Sequence, residues 1–261
     1  MRKMGNTNFR AQVSGSGWFA GTLGAGLCLL LTTCGPGHGT DCLMRTGDIV
    51  TEHREVPADI LQVTTFDNID LKIVQDTETY AEVRSGENLL ADITFTLKGN
   101  SLEIANTSKC NWARSYDVPR EVTLHVPRLN SIRLNGVGNI SSVGAFQQDT
   151  LFIHLLGAGD MAMELQCNYL NMDMFELGDM TLRGTAEEFS WMLGGNGRLF
   201  ARDLQTRRCY FKTTRDSNGD AHVRGQDIVG GNVEGTGTVY YAGNPTATDF
   251  HIKGPGSVKP E

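Results

Sequence analysis

No stretch of this sequence carries the three-and-four-residue apolar period of an amphipathic helix, which removes helical bundles from consideration. Basic charge is short as well. The chain has 23 Lys and Arg against 30 Asp and Glu, a formal net charge of −7, which disfavours nucleic acid and anionic lipid headgroups as partners. The histidines, His38, His53, His125, His154, His222 and His251, show no HxH or HxxxH spacing, so no metal site or other cofactor is expected. No apolar run makes a comfortable membrane span, because the run from residue 18 to residue 31 is short and interrupted by glycine.

That run has a different use. Residues 1 to 33 carry Arg2, Lys3 and Arg10 and no acid, followed by the apolar run and then "LTTC", ending at Cys34. This is the layout of a secretory signal, and "LTTC" resembles a bacterial lipobox in which Cys34 is acylated and becomes the mature N-terminus. Residues 34 to 47, opening "CGPGHGTD", then form a tether. Without the three signal positives, 20 basic side chains face 30 acidic ones, a mature charge of about −10. The expected location is the outer membrane, on its periplasmic side or at the cell surface, with membrane contact through the lipid anchor alone. An envelope location permits disulfides among Cys42, Cys110, Cys167 and Cys209.

Glycine is abundant, and its placement is periodic. "NGVGNI", "LLGAGDM", "ELGDM", "LGGNGRL" and "KGPGSV" share one small turn, whose second glycine recurs at Gly138, Gly159, Gly178, Gly197, Gly219, Gly237 and Gly256. The steps are 21, 19, 19, 22, 18 and 19 residues, a period that marks a solenoid. Two residues past each glycine stand Ile140, Met161, Met180, Leu199, Ala221, Val239 and Val258, and a second apolar pair recurs as Leu151/Ile153, Leu170/Met172, Phe189/Trp191, Cys209/Phe211 and Phe250/Ile252. Period-two alternation means strands with one buried face. Each inward Leu, Ile, Met or Phe contributes roughly 1.5 to 3 kcal/mol by burial, so a coil is stable only when stacked on others. The turns are read as corners between short strands of a parallel β-solenoid. A dinucleotide fingerprint is excluded because a strand, not a helix, follows each turn. A calcium-binding nonapeptide roll has the wrong period, and Arg198 occupies the place of its Asp.

Residues 48 to 135 form a different block. "TTFDNIDLKIVQD", "YAEVRSG", "ADITFTLKGNSLEIAN", "REVTLHVP" and "NSIRLNG" alternate apolar and polar residues, with "KGN" as a hairpin turn. The block is expected to pair with and cap the first coil of a solenoid running from 136 to 261, and 48 to 258 is open to being one continuous domain. The sequence from "FDNIDLKIVQ" through "AEVRSGENLL", "ITFTLKGNSLEI" and "VTLHVPRLNSIRLNGVGNI" to the glycine coils, roughly 54 to 258, resembles the putative auto-transporter adhesin, head GIN domain family, common in secreted lipoproteins of Bacteroidetes. The resemblance implies a right-handed parallel β-helix at the cell envelope with an adhesin-like role and no established catalysis. Because the sequence ends at "SVKPE", the auto-transporter part of the family name is not expected to apply to it.

Candidate binding residues come from the outward positions of each coil's first strand. Arg183, Arg202 and Arg224 share one row, expected to stack at the strand spacing of about 4.8 Å. Neighbouring guanidinium groups would then repel by roughly 1 to 3 kcal/mol at surface dielectric, so something must neutralise them. Beside them run Phe200, His222 and Tyr240, whose ring faces would suit sugars, and the combination fits an acidic glycan or another anionic envelope component. The competing interpretation is structural, with Asp179, Arg198 and Asp220 as a cross-coil ion ladder and the aromatics covering strand edges. Asp160 and Asp179 on adjacent coils raise a polysaccharide-degrading enzyme as the alternative, since retaining hydrolysis places two carboxyl groups about 5 to 5.5 Å apart. However, Asp after glycine is also an ordinary turn residue, and no catalytic residues are assigned. Cys209 falls in the inward ladder and is expected to be reduced. Cys167 lies two coils away, which leaves Cys42 and Cys110 as the pair expected if a disulfide forms.

Overall fold

Alternating residues become strands throughout the computed structural model, which describes residues 46–108 and 118–261. The signal, Cys34, Cys42, Cys110 and the tether up to residue 45 lie outside the described residues. In chain order the early strands are β1 (Ile49–Glu55), β2 (Gln62–Thr65), β3 (Asp70–Gln75), β4 (Tyr80–Gly86), β5 (Ile93–Lys98), β6 (Ser101–Asn106), β7 (Glu121–Val126) and β8 (Ser131–Leu134). Four long strands follow, β9 (Ile140–Leu155), β10 (Met161–Met174), β11 (Met180–Leu193) and β12 (Leu199–Thr213). Five shorter ones close the series, β13 (Ala221–Arg224), β14 (Ile228–Val233), β15 (Thr238–Ala242), β16 (Ala247–Ile252) and β17 (Ser257–Pro260). A 3-10 helix over Glu87–Asp92 is the one helical element among the described residues.

Parallel pairing of each coil with the next makes this a β-solenoid of about 20-residue coils. β10 lies between β9 and β11, and β11 between β10 and β12, with Leu170 in register with both Leu151 and Phe189. The stacking continues through β14 and β16 on one side and β13, β15 and β17 on another.

The N-terminal block does more than cap. β2 pairs in parallel with β6 and β8, and β3 with β7 and β9. Residues 62–75 therefore lie wedged between strands β6 and β7 on one side and β8 and the start of β9 on the other, out of chain order. The antiparallel strands β1, β4 and β5, together with the 3-10 helix, provide the departure from coil geometry at this end.

The glycine at each turn is required by crowding. A Cβ at Gly159 would lie 1.8 Å from the Gly138 carbonyl oxygen, at Gly178 1.9 Å from that of Gly159, and at Gly197 2.0 Å from that of Gly178. The same holds at Gly219 and Gly237, 1.8 and 2.0 Å from the carbonyls below. None of these residues has positive φ; among the described residues the glycines that do are Gly47, Gly99, Gly144, Gly184 and Gly243. Backbone stacks on backbone at this corner, and only a residue without Cβ fits. The corner glycine is thus required by close backbone approach and not by a left-handed conformation.

The alternation holds in phase along the middle of the solenoid. Ile140, Met161, Met180, Leu199, Ala221 and Val239 are buried, as are Leu151, Ile153, Leu170, Met172, Phe189, Trp191, Cys209 and Phe211. It fails in the last coil, where Phe250 is only half-buried and Ile252 is 51% exposed. The irregular unit "DIVGGNV" also has a packing reason. Gly231 sits in register between Phe211 and Phe250, and a Cβ there would come within 2.6 Å of the Phe211 ring. The absent side chain lets the two rings approach to 6.0 Å between centroids.

Cys209 is a free, fully buried thiol in register with Phe189 and Val229, and burial pushes its pKa up to about 12. Cys167 is also free and pairs in register with Ala186, which in turn pairs with Thr206, so the two cysteines are separated by a coil and a shift along the strand.

Candidate ligand-binding face

The residues facing outward beside the glycine ladder form two different surfaces. The first is a capping ladder. The Asp70 carboxylate accepts the Asn139 backbone N–H at 2.9 Å, the Asn139 side-chain oxygen accepts that of Asp160 at 3.0 Å, and Asp160 accepts that of Asp179 at 2.8 Å. Asp179 then accepts the Arg198 N–H at 2.9 Å and holds the Arg198 guanidinium at 2.6 Å. That hydrogen bond, with the carboxylate charge, raises the Arg198 pKa. Asp160 and Asp179 are therefore engaged with the backbone of the next coil, which is the structural role of such a ladder. One turn residue away, Asn218 donates to Asn196 and accepts from Thr236, each at 2.7 Å.

The second surface carries the expected binding residues. Phe200, His222 and Tyr240 stand in register on β12, β13 and β15 and stack nearly parallel, with centroids 5.9 and 4.8 Å apart and 11° between planes at both steps. The Arg198 guanidinium lies over Phe200 at 5.3 Å. The rings thus spend their inner faces on one another, and their edges, not the faces expected from sequence, are turned toward solvent.

The three arginines do not form a uniform row. Between Thr181↔Phe200 and Arg183↔Asp203, β12 carries one more residue than β11, so Arg183 sits opposite Glu164 on one side and Asp203 on the other. This bulge separates Arg183 from Arg202 and relieves the stacked repulsion that ideal register would impose. Arg202 pairs with Glu261 at 3.1 Å, and Glu261 also reaches His222 at 3.3 Å. Arg224 donates from Nε to the Arg202 carbonyl at 3.0 Å. Neither Arg183 nor Arg224 has a carboxylate within ion-pairing distance among the described residues. Arg183, Arg202, Phe200 and His222 line a depression of about 390 Å³, together with Thr181, Asp203 and Glu261.

A larger groove, not expected from the sequence, runs across the coils at the bend of β9 to β12 and measures about 790 Å³. One wall is the register row Gln147, Gln166, Thr185 and Gln205. Its sequence signal is the recurrence of Gln147, Gln166, Gln205 and Gln226 near multiples of the coil period, a weaker pattern than the apolar and charged ones.

The model of the putative auto-transporter adhesin, head GIN domain family matches residues 61–245. The chain belongs to this family. Its fold is shared with solved structures from Bacteroidetes. A putative adhesin from Bacteroides fragilis is 23% identical, with 82% of this chain and 97% of that one covered and a TM-score of 0.75. A putative lipid binding protein from Parabacteroides distasonis is 20% identical over 82% and 97% of the two chains, with a TM-score of 0.65. A putative adhesin from Parabacteroides merdae is 19% identical over 83% and 98%, with a TM-score of 0.63. No curated protein matches the chain in sequence. A family named for an adhesin head goes with an extracellular or envelope location. Among the described residues, no helix is long and apolar enough to cross a membrane.

Proposed function

We propose that this GIN-domain protein is a lipid-anchored, non-enzymatic envelope protein that binds an acidic glycan or similar anionic envelope polymer through the face formed by Arg183, Arg202, Arg224, Phe200, His222 and Tyr240. The observation that carries the reading is that Arg183 and Arg224 have no carboxylate partner on a chain with an excess of acid, and that Arg183 lines the depression beside the aromatic stack. Planar guanidinium groups engage carboxylate or sulfate by paired hydrogen bonds, and the ring edges add contact area. The engagement of Asp160 and Asp179 with neighbouring backbone counts against a catalytic carboxylate pair.

A screen against acidic and neutral glycans tests the reading. The Arg183→Ala, Arg224→Ala double variant is expected to weaken binding of an acidic glycan about tenfold or more at low salt, with the difference shrinking toward physiological ionic strength, where exposed charges are screened over about 8 to 10 Å. Tyr240→Ala is expected to weaken it by a smaller factor that does not depend on salt. An acidic glycan bound equally well by all these proteins would remove the face from consideration.

Anchoring rests on Cys34 and the lipobox-like "LTTC". Cys34→Ala is expected to leave the membrane fraction or to accumulate unprocessed, as read by fractionation and intact mass. Unchanged fractionation and mature mass would assign the N-terminus to an ordinary signal peptide.

A further inference from the structure

We infer that the groove at the bend of β9 to β12 is a second binding site, separate from the arginine face, that takes an uncharged polysaccharide lying along the solenoid axis with one sugar over each coil. Its floor is made of small or short side chains, Cys167, Ala186 and Thr206, with Ala186 and Thr206 buried. One wall is the row Gln147, Gln166, Thr185 and Gln205; the other carries Asp149, Asn168, Glu187 and Arg207, and Gln226 closes the end.

The polar groups of the first wall are unspent. No hydrogen bond within the protein engages the side chains of Gln147, Gln166, Thr185, Gln205 or Gln226 among the described residues. The contrast with the Asn196, Asn218 and Thr236 ladder is informative, because there the same chemistry is consumed by bonds from coil to coil. Each free amide offers two N–H donors and an acceptor oxygen, which match hydroxyl groups that both donate and accept.

The ligand class follows from charge and spacing. On the opposite wall Asn168 donates to Asp149 at 2.6 Å, and Arg207 is held by Asp227 at 2.7 Å and Glu187 at 3.6 Å. The remaining carboxylates give the wall no attraction for a polyanion, which separates this ligand from the one proposed for the arginine face. Successive amides of the row repeat at the coil spacing of about 4.8 Å, so four coils present contacts over about 14 Å. A pyranose in an extended 1,4-linked chain advances by nearly the same distance. An extended peptide repeats its side chains on one face every 6.6 to 6.8 Å or so and falls out of step within two coils.

The test is a titration of the protein by isothermal calorimetry and side-chain amide NMR with neutral 1,4-linked glucose and N-acetylglucosamine oligomers of increasing length. Affinity is expected to rise up to about four sugars and then level off, and glutamine side-chain amide signals should shift on binding. Gln166→Ala with Gln205→Ala should weaken binding of the tetramer about tenfold at unchanged melting temperature, while Arg183→Ala with Arg224→Ala should leave it within about twofold. Absence of binding by any neutral oligomer, or binding indifferent to the glutamine pair, would overturn the proposal. So would binding of an extended peptide that shifts the same amides when no oligosaccharide does. Because the arginine variants are assayed in the same experiment, failure here and failure of the acidic-glycan reading are scored separately.

Discussion

Gly178→Ala is expected to lower the melting temperature by on the order of 10 °C, and Gly197→Ala by a similar amount. The added methyl at Gly178 would sit 1.9 Å from the Gly159 carbonyl oxygen; at Gly197 it would sit 2.0 Å from the Gly178 carbonyl oxygen and 2.3 Å from the Met174 methyl. The obstacle is backbone in both cases, so relief requires two coils to part, with loss of nearby ladder hydrogen bonds and core contact. Overpacking of a tight interior costs about 1 to 3 kcal/mol, and here the neighbour cannot rotate away. Gly144→Ala provides the comparison. Its φ of 75° disfavours any side chain, by roughly 1 to 2 kcal/mol, yet nothing stands within 4 Å of the added atom. Thermal unfolding of the three variants separates the causes. If Gly144→Ala proved the most damaging, the corner would be governed by conformation and the steric account would fail.

A still larger effect is expected from charge in the core. Trp191→Asp should abolish cooperative unfolding altogether, and Met172→Asp should cost more than about 4 kcal/mol. Trp191 stacks on Phe211 at 5.2 Å and lies in register with Met172, which in turn pairs with Ile153, so one carboxylate at either place is buried among side chains of three coils. Neither site offers a cation. Asp173, one residue on, points to the other side of the sheet and holds His154 at 2.9 Å. Asp173→Ala removes a partly solvated pair and should cost less than about 1 kcal/mol. Circular dichroism and chemical denaturation read the difference, and equal loss for Met172→Asp and Asp173→Ala would mean that the strand is out of phase by one residue.

The coil period and its inward residues were readable because both are local. Each glycine fixes a corner, and alternation from that corner assigns Ile140, Met161, Met180 and Leu199 to the core without knowledge of their neighbours. What escaped was non-local. Nothing in "QVTTFDNIDLKIVQ" reveals that its two strands are wedged between segments that come later in the chain, because pairing partners leave no mark on a strand's own alternation. The single extra residue of β12 before Asp203 is equally silent, yet it decides whether Arg183 meets Arg202 or Asp203. The ring faces of Phe200, His222 and Tyr240 were assigned to solvent from their outward parity. Parity gives the side of the sheet but not the lateral contact, and aromatic side chains about 4.8 Å apart in register find one another before they find a ligand. The glutamine row was visible in the numbering, but hydration of an amide leaves no strong pattern in composition.

The wedged coil has a consequence for how the molecule is assembled. During synthesis residues 62–75 emerge first, and both of their edges wait for strands that come later: Glu121–Val126 on one side of β3 and the start of β9 on the other. Until residue 126 is available neither edge of β3 can be sealed in its native way, and until residue 143 the second stays open, so unpaired backbone is exposed to wrong partners. From β9 onward each new coil meets a template already in place and adds through contacts only about 20 residues apart. Folding should therefore be slow to begin and quick to extend, with the barrier set by long-range closure near the N-terminus. A chain released early, before that closure, would be held less by its folding energy than by whatever keeps its exposed edges apart.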